Sequence, residues 1–343
     1  MHLYSVLYDP LDNAVQVVVE IESVYQNEDL VGIIRNGTGG EARLQPDSSS
    51  HFDFLVEDKW PILILRFSAI SWMAGAVDMA IGLGESSLAS FRSPFTPVEL
   101  IEVSRNGLIG ACVSPLFAHT PHLMDWIQYH VELGVNEVQM YVPHASFIDA
   151  ENYTSVYGSA PLKGQRGRFR VQPFHSRYVA WRHYTPRPSS YYFGQLATYN
   201  DCIFRNRRRY DFIMLLDTDE FVVLQQPPLL SFLETFLTEN YSNIRLPNFY
   251  TSVACPVQED LQILEDFDIF VEPYPDASLL VVREGEEGGT ANWNTGSKTI
   301  VRPLNVKATH THGPVYLEEG KVKDFLIDAE IGGMRHVRCS SWS

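Results

Sequence analysis

The stretch Phe212-Ile-Met-Leu-Leu-Asp-Thr-Asp-Glu-Phe-Val-Val-Leu224 constrains the fold more than any other part of the chain. Its first five residues, Phe212 to Leu216, are all apolar and read as a strand covered on both faces, as in a parallel sheet flanked by helices. Asp217, Asp219 and Glu220 follow at once. Three acids beside an apolar strand repel one another and lose hydration, so they are best tolerated where the strand leaves the sheet and a divalent cation neutralises them. In an open α/β sheet that place is the carboxyl edge, where ligands bind. Asp-x-Asp alone is a weak motif, and the plain alternative is an acidic turn after a strand. Hard oxygen donors in this position suit Mn²⁺ or Mg²⁺ bridging a diphosphate.

A chain of 343 residues with 45% apolar content can bury a large core, as two domains or as one large domain with an appendage. The net charge of −16 argues against a general binder of nucleic-acid backbones, which needs a positive field to displace counterions. An anionic substrate must then be held by local Lys, Arg or metal. The basic run Arg205-Asn-Arg-Arg-Arg209 reads as a solvated helix end, where cations complement the dipole. Met1-His-Leu-Tyr-Ser-Val leads into a strand-like pattern and not a signal peptide. The most apolar candidate span, Pro61 to Gly84, is interrupted by Arg66 and Asp78, which fits soluble structure better than a membrane crossing. Cys112, Cys202, Cys255 and Cys339 have no Cys-x-x-Cys spacing, leaving buried thiols or up to two disulfides. Asn36, Asn152 and Asn240 lie in glycosylation sequons.

Residues 1–104 are β-rich, with runs such as Ala14 to Ile21 and Pro61 to Phe67 separated by Gly/Asn/Asp/Ser clusters. They predict a small β-sandwich, serving either to bind carbohydrate or to brace the next domain, with the boundary after Ser93-Pro-Phe-Thr-Pro97. The rhythm then changes. Leu108 to Ser114 reads as a buried strand. Thr120-Pro121 starts a helix with the apolar face Leu123, Trp126, Ile127 and Val131, and Gly134 closes it. Val135 to Val142 and Arg168 to Phe174 read as further strands, and Tyr192 to Arg205 as a helix feeding the strand 212–216, which together make a parallel α/β unit. Beyond the acids, Leu229 to Leu237 is helical, Asn243 to Tyr250 is a strand entering a loop, and the Gly/Glu-rich segment Arg283 to Asn294 has the composition of a mobile lid.

Four further constellations carry chemistry. Lys298 opens the β-branched strand Lys298 to Arg302, either as a cation for a phosphate or as an ordinary strand-edge lysine. His310 and His312 share a face if Val306 to His312 is a strand, so either or both can complete a metal site. Asn200 and Asp201 either contact a sugar or ribose hydroxyl or buttress the acid-bearing turn. Near the C-terminus, His336-Val-Arg338 brings an arginine able to neutralise a leaving diphosphate, the alternative being an exposed tail.

With these residues in view the chain resembles glycosyltransferase family 92. The resemblance rests on Leu216 to Phe221, Gly194 to Cys202, Ala111 to Phe117 with Trp126 and His130, and Lys298 to Pro303, over about residues 105–340. It implies an α/β, GT-A type (Rossmann-like) nucleotide-sugar domain over 105–343, preceded by the β-rich, sandwich-like domain. It also implies transfer of galactose from UDP-galactose to a glycan, with Mn²⁺ or Mg²⁺ bound and inversion to a β-linked product. Residence at the lumenal face of the Golgi membrane would come through an N-terminal anchor that this chain does not carry. Donor contacts are expected from Cys112, Ser114, Asn200, Asp201, Asp217, Lys298 and Arg338, and metal ligation from Asp217, Asp219, His312 and His310. Glu259 and Asp260 are candidates for the base that deprotonates the acceptor, not separable by spacing from Asp266 or Asp268. The chain has Val337 where the family has tyrosine in its His-Tyr-Arg, and Tyr250-Thr-Ser252 where the family shows a small Gly/Ser stretch. The rival readings are a non-catalytic Ca²⁺-dependent glycan-binding protein and a Mg²⁺-dependent phosphohydrolase, the latter lacking an obvious nucleophile motif.

Overall fold

The computed structural model describes residues 2–9, 11–12, 14–20, 30–47, 52–54, 62–68, 76–83, 92–94, 96–97, 107–113, 123–143, 168–174, 195–225, 229–237, 241–253, 297–318, 321–328 and 330–339. Ser114, Thr120-Pro121, Glu259, Asp260, Asp266, Asp268 and the lid segment 283–294 lie outside them.

The N-terminal part supplies β1 (His2–Asp9), β2 (Ala14–Glu20), β3 (Leu30–Asn36), β4 (Glu41–Leu44), β5 (Phe52–Phe54), β6 (Ile62–Ser68), β7 (Ala76–Leu83), β8 (Arg92–Pro94) and β9 (Thr96–Pro97). They form two sheets, ordered β5-β6-β2-β1-β9 and β4-β3-β7-β8. Val15, Val17 and Val19 of β2 and Leu63, Leu65 and Phe67 of β6 alternate along their strands to one face, where they meet Leu30, Ile34, Leu44 and Met79 of the second sheet. The opposite face of the five-stranded sheet is also covered, which is why β2 reads as a nearly unbroken valine run. Val18 and Leu7 are buried there, and Leu7 packs on Phe204 of the helix described below.

The second part is built on β10 (Ile109–Val113), α1 (Leu123–Leu133), β11 (Glu137–Pro143), β12 (Arg168–Phe174), α2 (Gln195–Asn206), β13 (Phe212–Leu216), β14 (Glu220–Leu224), α3 (Leu229–Glu234), β15 (Tyr241–Leu246), β16 (Asn248–Val253), β17 (Lys298–Val301), β18 (Val306–His310), β19 (Gly313–Leu317), β20 (Val322–Leu326) and β21 (Gly332–Cys339). One mixed sheet runs β12-β11-β10-β13-β17-β15-β20. The pairings of β12, β11, β10 and β13 are parallel, as the strand-helix rhythm predicts, whereas β17 runs antiparallel to both β13 and β15. Every residue of β13 is buried, with Phe212, Met214 and Leu216 entering one core and Ile213 and Leu215 the other. Gly110 has a packing role: a Cβ there would come within 2.7 Å of the Tyr210 ring, which covers β10 from outside. Two smaller sheets, β14-β21-β16 and β18-β19, complete this part.

The basic run after α2 departs from the expected solvated helix end. Arg205, Arg207 and Arg209 are all buried. Arg205 is held by Asp201, Arg209 Nη2 lies 2.6 Å from Glu137, and Arg207 Nη2 lies 3.3 Å from Glu318. Arg208 Nε donates to buried Asp9 at 2.9 Å and pairs also with Asp12, while Arg66 of β6 reaches Glu318 at 3.0 Å. The run is an ionic seam joining the β-rich part to the α/β part, and its cations are tolerated in the interior because carboxylates from both sides meet them.

Cys112 of β10 and Cys202 of α2 form a buried disulfide with a Cα–Cα distance of 6.2 Å. It pins the helix that precedes the acid-bearing strand to the adjacent strand of the sheet. Replacing both cysteines by alanine removes a cross-link closing 90 residues of chain. The expected loss is about 2–4 kcal/mol in a urea melt. An unchanged midpoint would show that the bridge carries no such share.

Candidate active site

Asp217 leaves the end of β13, and the chain turns back into β14 with the Glu220 N–H donating to the Asp217 carbonyl at 3.2 Å. The Glu220 carboxylate reaches across the turn and accepts the Asp217 N–H at 2.7 Å. Three donors then meet the Asp217 side chain. Gln195 Nε2 donates to Oδ1 at 2.6 Å, the Tyr199 hydroxyl lies 3.4 Å from the same oxygen, and Lys298 Nζ lies 2.7 Å from Oδ2. Gln195 and Tyr199 are one helical turn apart on α2, so their side chains emerge together toward the strand end. Lys298 is the first residue of β17, the antiparallel neighbour of β13, and its Nζ also lies 3.3 Å from Glu220 Oε2. Its side chain is 4% exposed.

The other two acids face a different partner. β21 is the central strand of its sheet and sets His336 opposite Glu220. His336 Nε2 lies 3.0 Å from Asp219 Oδ2, and Nδ1 lies 3.8 Å from Glu220 Oε1. Asp219 is 48% exposed along its side chain, so this end of the group opens to solvent. Among the described residues, Asp219, Glu220 and His336 form a group whose ligand atoms all lie within 4.8 Å of one another, a spacing fit for one metal ion. Two carboxylates and an imidazole suit Mn²⁺ or Mg²⁺ better than a soft metal, and Ca²⁺, which prefers an all-oxygen shell, less well.

Electrostatics separate the two halves. Burial drives the Glu220 carboxyl well above the usual range, opposed by Lys298 and reinforced by Asp217 and Asp219. Burial works to lower the Lys298 ammonium, but Asp217 and Glu220 outweigh it and hold the lysine charged, well above its ordinary value. His310 and His312 sit on the Lys298 side of the site, their rings 5.9 Å apart. Burial, with His312 and Lys298 nearby, lowers His310 to about 4, and burial and Lys298 lower His312 as well. His312 Nδ1 donates to the Ser297 carbonyl at 2.9 Å.

Helix α1 fixes β14 from behind. Trp126 Nε1 donates to the Glu220 carbonyl at 2.7 Å, and the Tyr129 hydroxyl to the Val222 carbonyl at 2.7 Å. His130 donates from Nδ1 to the Trp126 carbonyl at 2.8 Å and stacks on Phe221, 6.0 Å between centroids.

The site residues expected from sequence divide accordingly. Asp217, Asp219 and Lys298 converge. Asp217 is engaged by Lys298 and Gln195, and the metal-spaced group among the described residues holds His336, set against β14 by the register of β21, where His310 or His312 was expected; those two histidines lie toward Lys298 instead. Lys298 is enclosed by carboxylates and does not present its charge to solvent. Cys112 is buried within the core, in its disulfide with Cys202. Asn200 is buried and buttresses: it donates to the Thr309 carbonyl at 2.9 Å and accepts the Thr309 N–H at 2.9 Å. Asp201 is buried between Tyr141 and Arg205. Arg338 lies in β21 opposite Ser252. Gln195 and Tyr199 were not expected at the site, although a glutamine and a tyrosine four apart on an otherwise apolar helix face are a usable signal.

Residues 108–343 match the family model described as glycosyltransferase family 92. No curated protein matches the chain. A crystal structure of a mycobacterial protein aligns with 42% of this chain at 16% identity and a TM-score of 0.22, a value too low to carry a fold comparison; this chain spans 41% of that protein's length.

His130 gives the fold a pH dependence. Burial lowers its imidazole from 6.5 to about 4. Above pH 6.5 both folded and unfolded chains carry it neutral, whereas below that value the unfolded chain takes a proton that the folded chain refuses, so stability falls as pH drops toward 4. Its share is about 2 kcal/mol between pH 8 and pH 5. Urea melts at the two pH values should show a smaller loss in His130→Gln than in the wild type, and equal losses would contradict the assignment.

Proposed function

Because the chain belongs to glycosyltransferase family 92, we propose that it is a divalent-metal-dependent, inverting hexosyltransferase that moves galactose from UDP-galactose to a glycan acceptor. The observation that carries the metal-dependent reading is the Asp219–Glu220–His336 group at the carboxyl edge of the central strand. A GT-A type arrangement is the reading of the α/β part that accords with parallel strands delivering acids at that edge. The buried Cys112–Cys202 disulfide accords with an oxidising compartment such as the Golgi lumen. Among the described residues no helix is long and apolar enough to cross a membrane.

In this reading Asp219 and His336 would hold Mn²⁺, with the Glu220 carboxylate 3.8 Å from the second ring nitrogen of His336, where its negative charge would favour the bound ion. A bound metal would offset the negative charge that collects on UDP as the glycosidic bond breaks. The protein's own contribution is orientation. Trp126 and Tyr129 fix the backbone carbonyls of β14, and Lys298 holds the inner acids together against their mutual repulsion. Glu259 and Asp260 stay the proposed proton acceptors for the acceptor hydroxyl, and Arg338 a proposed partner for the diphosphate.

A donor screen with released UDP as readout tests the proposal. Wild-type protein should turn over UDP-galactose in preference to other UDP-hexoses and only with Mn²⁺ or Mg²⁺ present. Asp219→Asn and His336→Ala should each lose about a hundredfold in turnover. Full turnover in a chelator would remove the metal from the reaction, and preference for another donor would remove galactose.

A further inference from the structure

We infer that Lys298 is the residue that divides the acidic turn into a structural half and a metal-binding half, so that Asp217 positions the turn and does not ligate the ion. The inference rests on the metal-dependent reading above and assigns roles within that site. Both Asp217 oxygens accept from protein donors, Oδ1 from Gln195 at 2.6 Å and Oδ2 from Lys298 at 2.7 Å. Lys298 is almost wholly buried, and among the described residues its nearest charged partners are Asp217 and Glu220, at 2.7 and 3.3 Å. A dication brought to Asp217 would have to share that carboxylate with an ammonium group at salt-bridge distance, and like charges in a poorly hydrated site repel strongly. Asp219 is different. It is half-exposed, and its Oδ2 lies 3.0 Å from an imidazole able to join it on a metal. The position of the fixed cation therefore selects the opposite end of the turn for the mobile one.

Three consequences follow from the charges. Removing the ammonium should make the site more attractive to a dication, because a repelling charge is lost and a carboxylate is released. Neutralising Asp217 should cost only the field of one indirect charge. Neutralising Asp219 should remove a ligand. Gln195 and Lys298 are thus positioning residues for Asp217, acting on the metal through where they hold the acid.

The test is a Mn²⁺ titration of the full chain followed by the electron paramagnetic resonance signal of free Mn²⁺. Lys298→Met should bind Mn²⁺ about threefold or more tighter than wild type, although its turnover of donor falls. Asp217→Asn should weaken binding by less than about fivefold, against about fiftyfold or more for Asp219→Asn. Binding in Lys298→Met no tighter than in wild type, or equal losses in Asp217→Asn and Asp219→Asn, would overturn the inference while leaving metal dependence intact. Absence of binding by the wild type would overturn the metal reading itself. Thermal melts check each variant's fold. If Lys298→Met does not fold, Asp217→Asn, isosteric and still able to accept the Gln195 bond, decides the question alone.

Discussion

A buried ammonium among carboxylates organises this molecule. Lys298 meets Asp217 and Glu220 inside the protein, where unpaired charges of either sign would be costly. Without it, the strand β13 could not end in a run of acids and remain fully buried. With it, the turn is held from within: Glu220 caps the Asp217 N–H, Gln195 fixes one Asp217 oxygen, and the outer acid is left to solvent and His336. Metal binding, in the proposed chemistry, is the outward half of a charge arrangement whose inward half belongs to the fold.

Each supporting layer serves that arrangement. The disulfide ties α2, the source of Gln195 and Tyr199, to β10 beside the central strand. The ionic seam of Arg207 and Arg208 with Asp9, Asp12 and Glu318 carries the β-rich sheets onto the same helix. Helix α1 braces β14 through hydrogen bonds to backbone carbonyls, which depend on shape more than on charge. The loss of stability expected below neutral pH from His130 falls on this brace, next to Phe221 of the acid motif.

Much of this was legible in the sequence because it is local. The apolar run 212–216, its terminal acids, the strand 168–174 and the β-rich character of the first hundred residues all follow from short-range pattern, and the structure has them. What the sequence hid depends on contacts between distant segments. His336 meets Asp219 across 117 positions, and only the register of β21 against β14 brings them together. Strand alternation puts His310 and His312 on one face and makes them the candidate ligands, but both lie toward Lys298, and the group spaced for a metal among the described residues takes His336. Lys298 gave no sign of being buried, since a lysine opening a strand reads the same at an edge as in a core. The arginine run likewise has the composition of a solvated helix end, and its burial depends on acids contributed from residues 9, 12, 137 and 318.

The central claim is that one metal ion sits between Asp219 and His336 while Lys298 keeps Asp217. A crystal of the protein grown with Mn²⁺, measured at a wavelength where manganese scatters anomalously, tests it directly. The account predicts an anomalous peak within bonding distance of the Asp219 carboxylate and the His336 imidazole, with the Lys298 ammonium still on Asp217. A peak on Asp217 and His312, with Lys298 displaced, would contradict it.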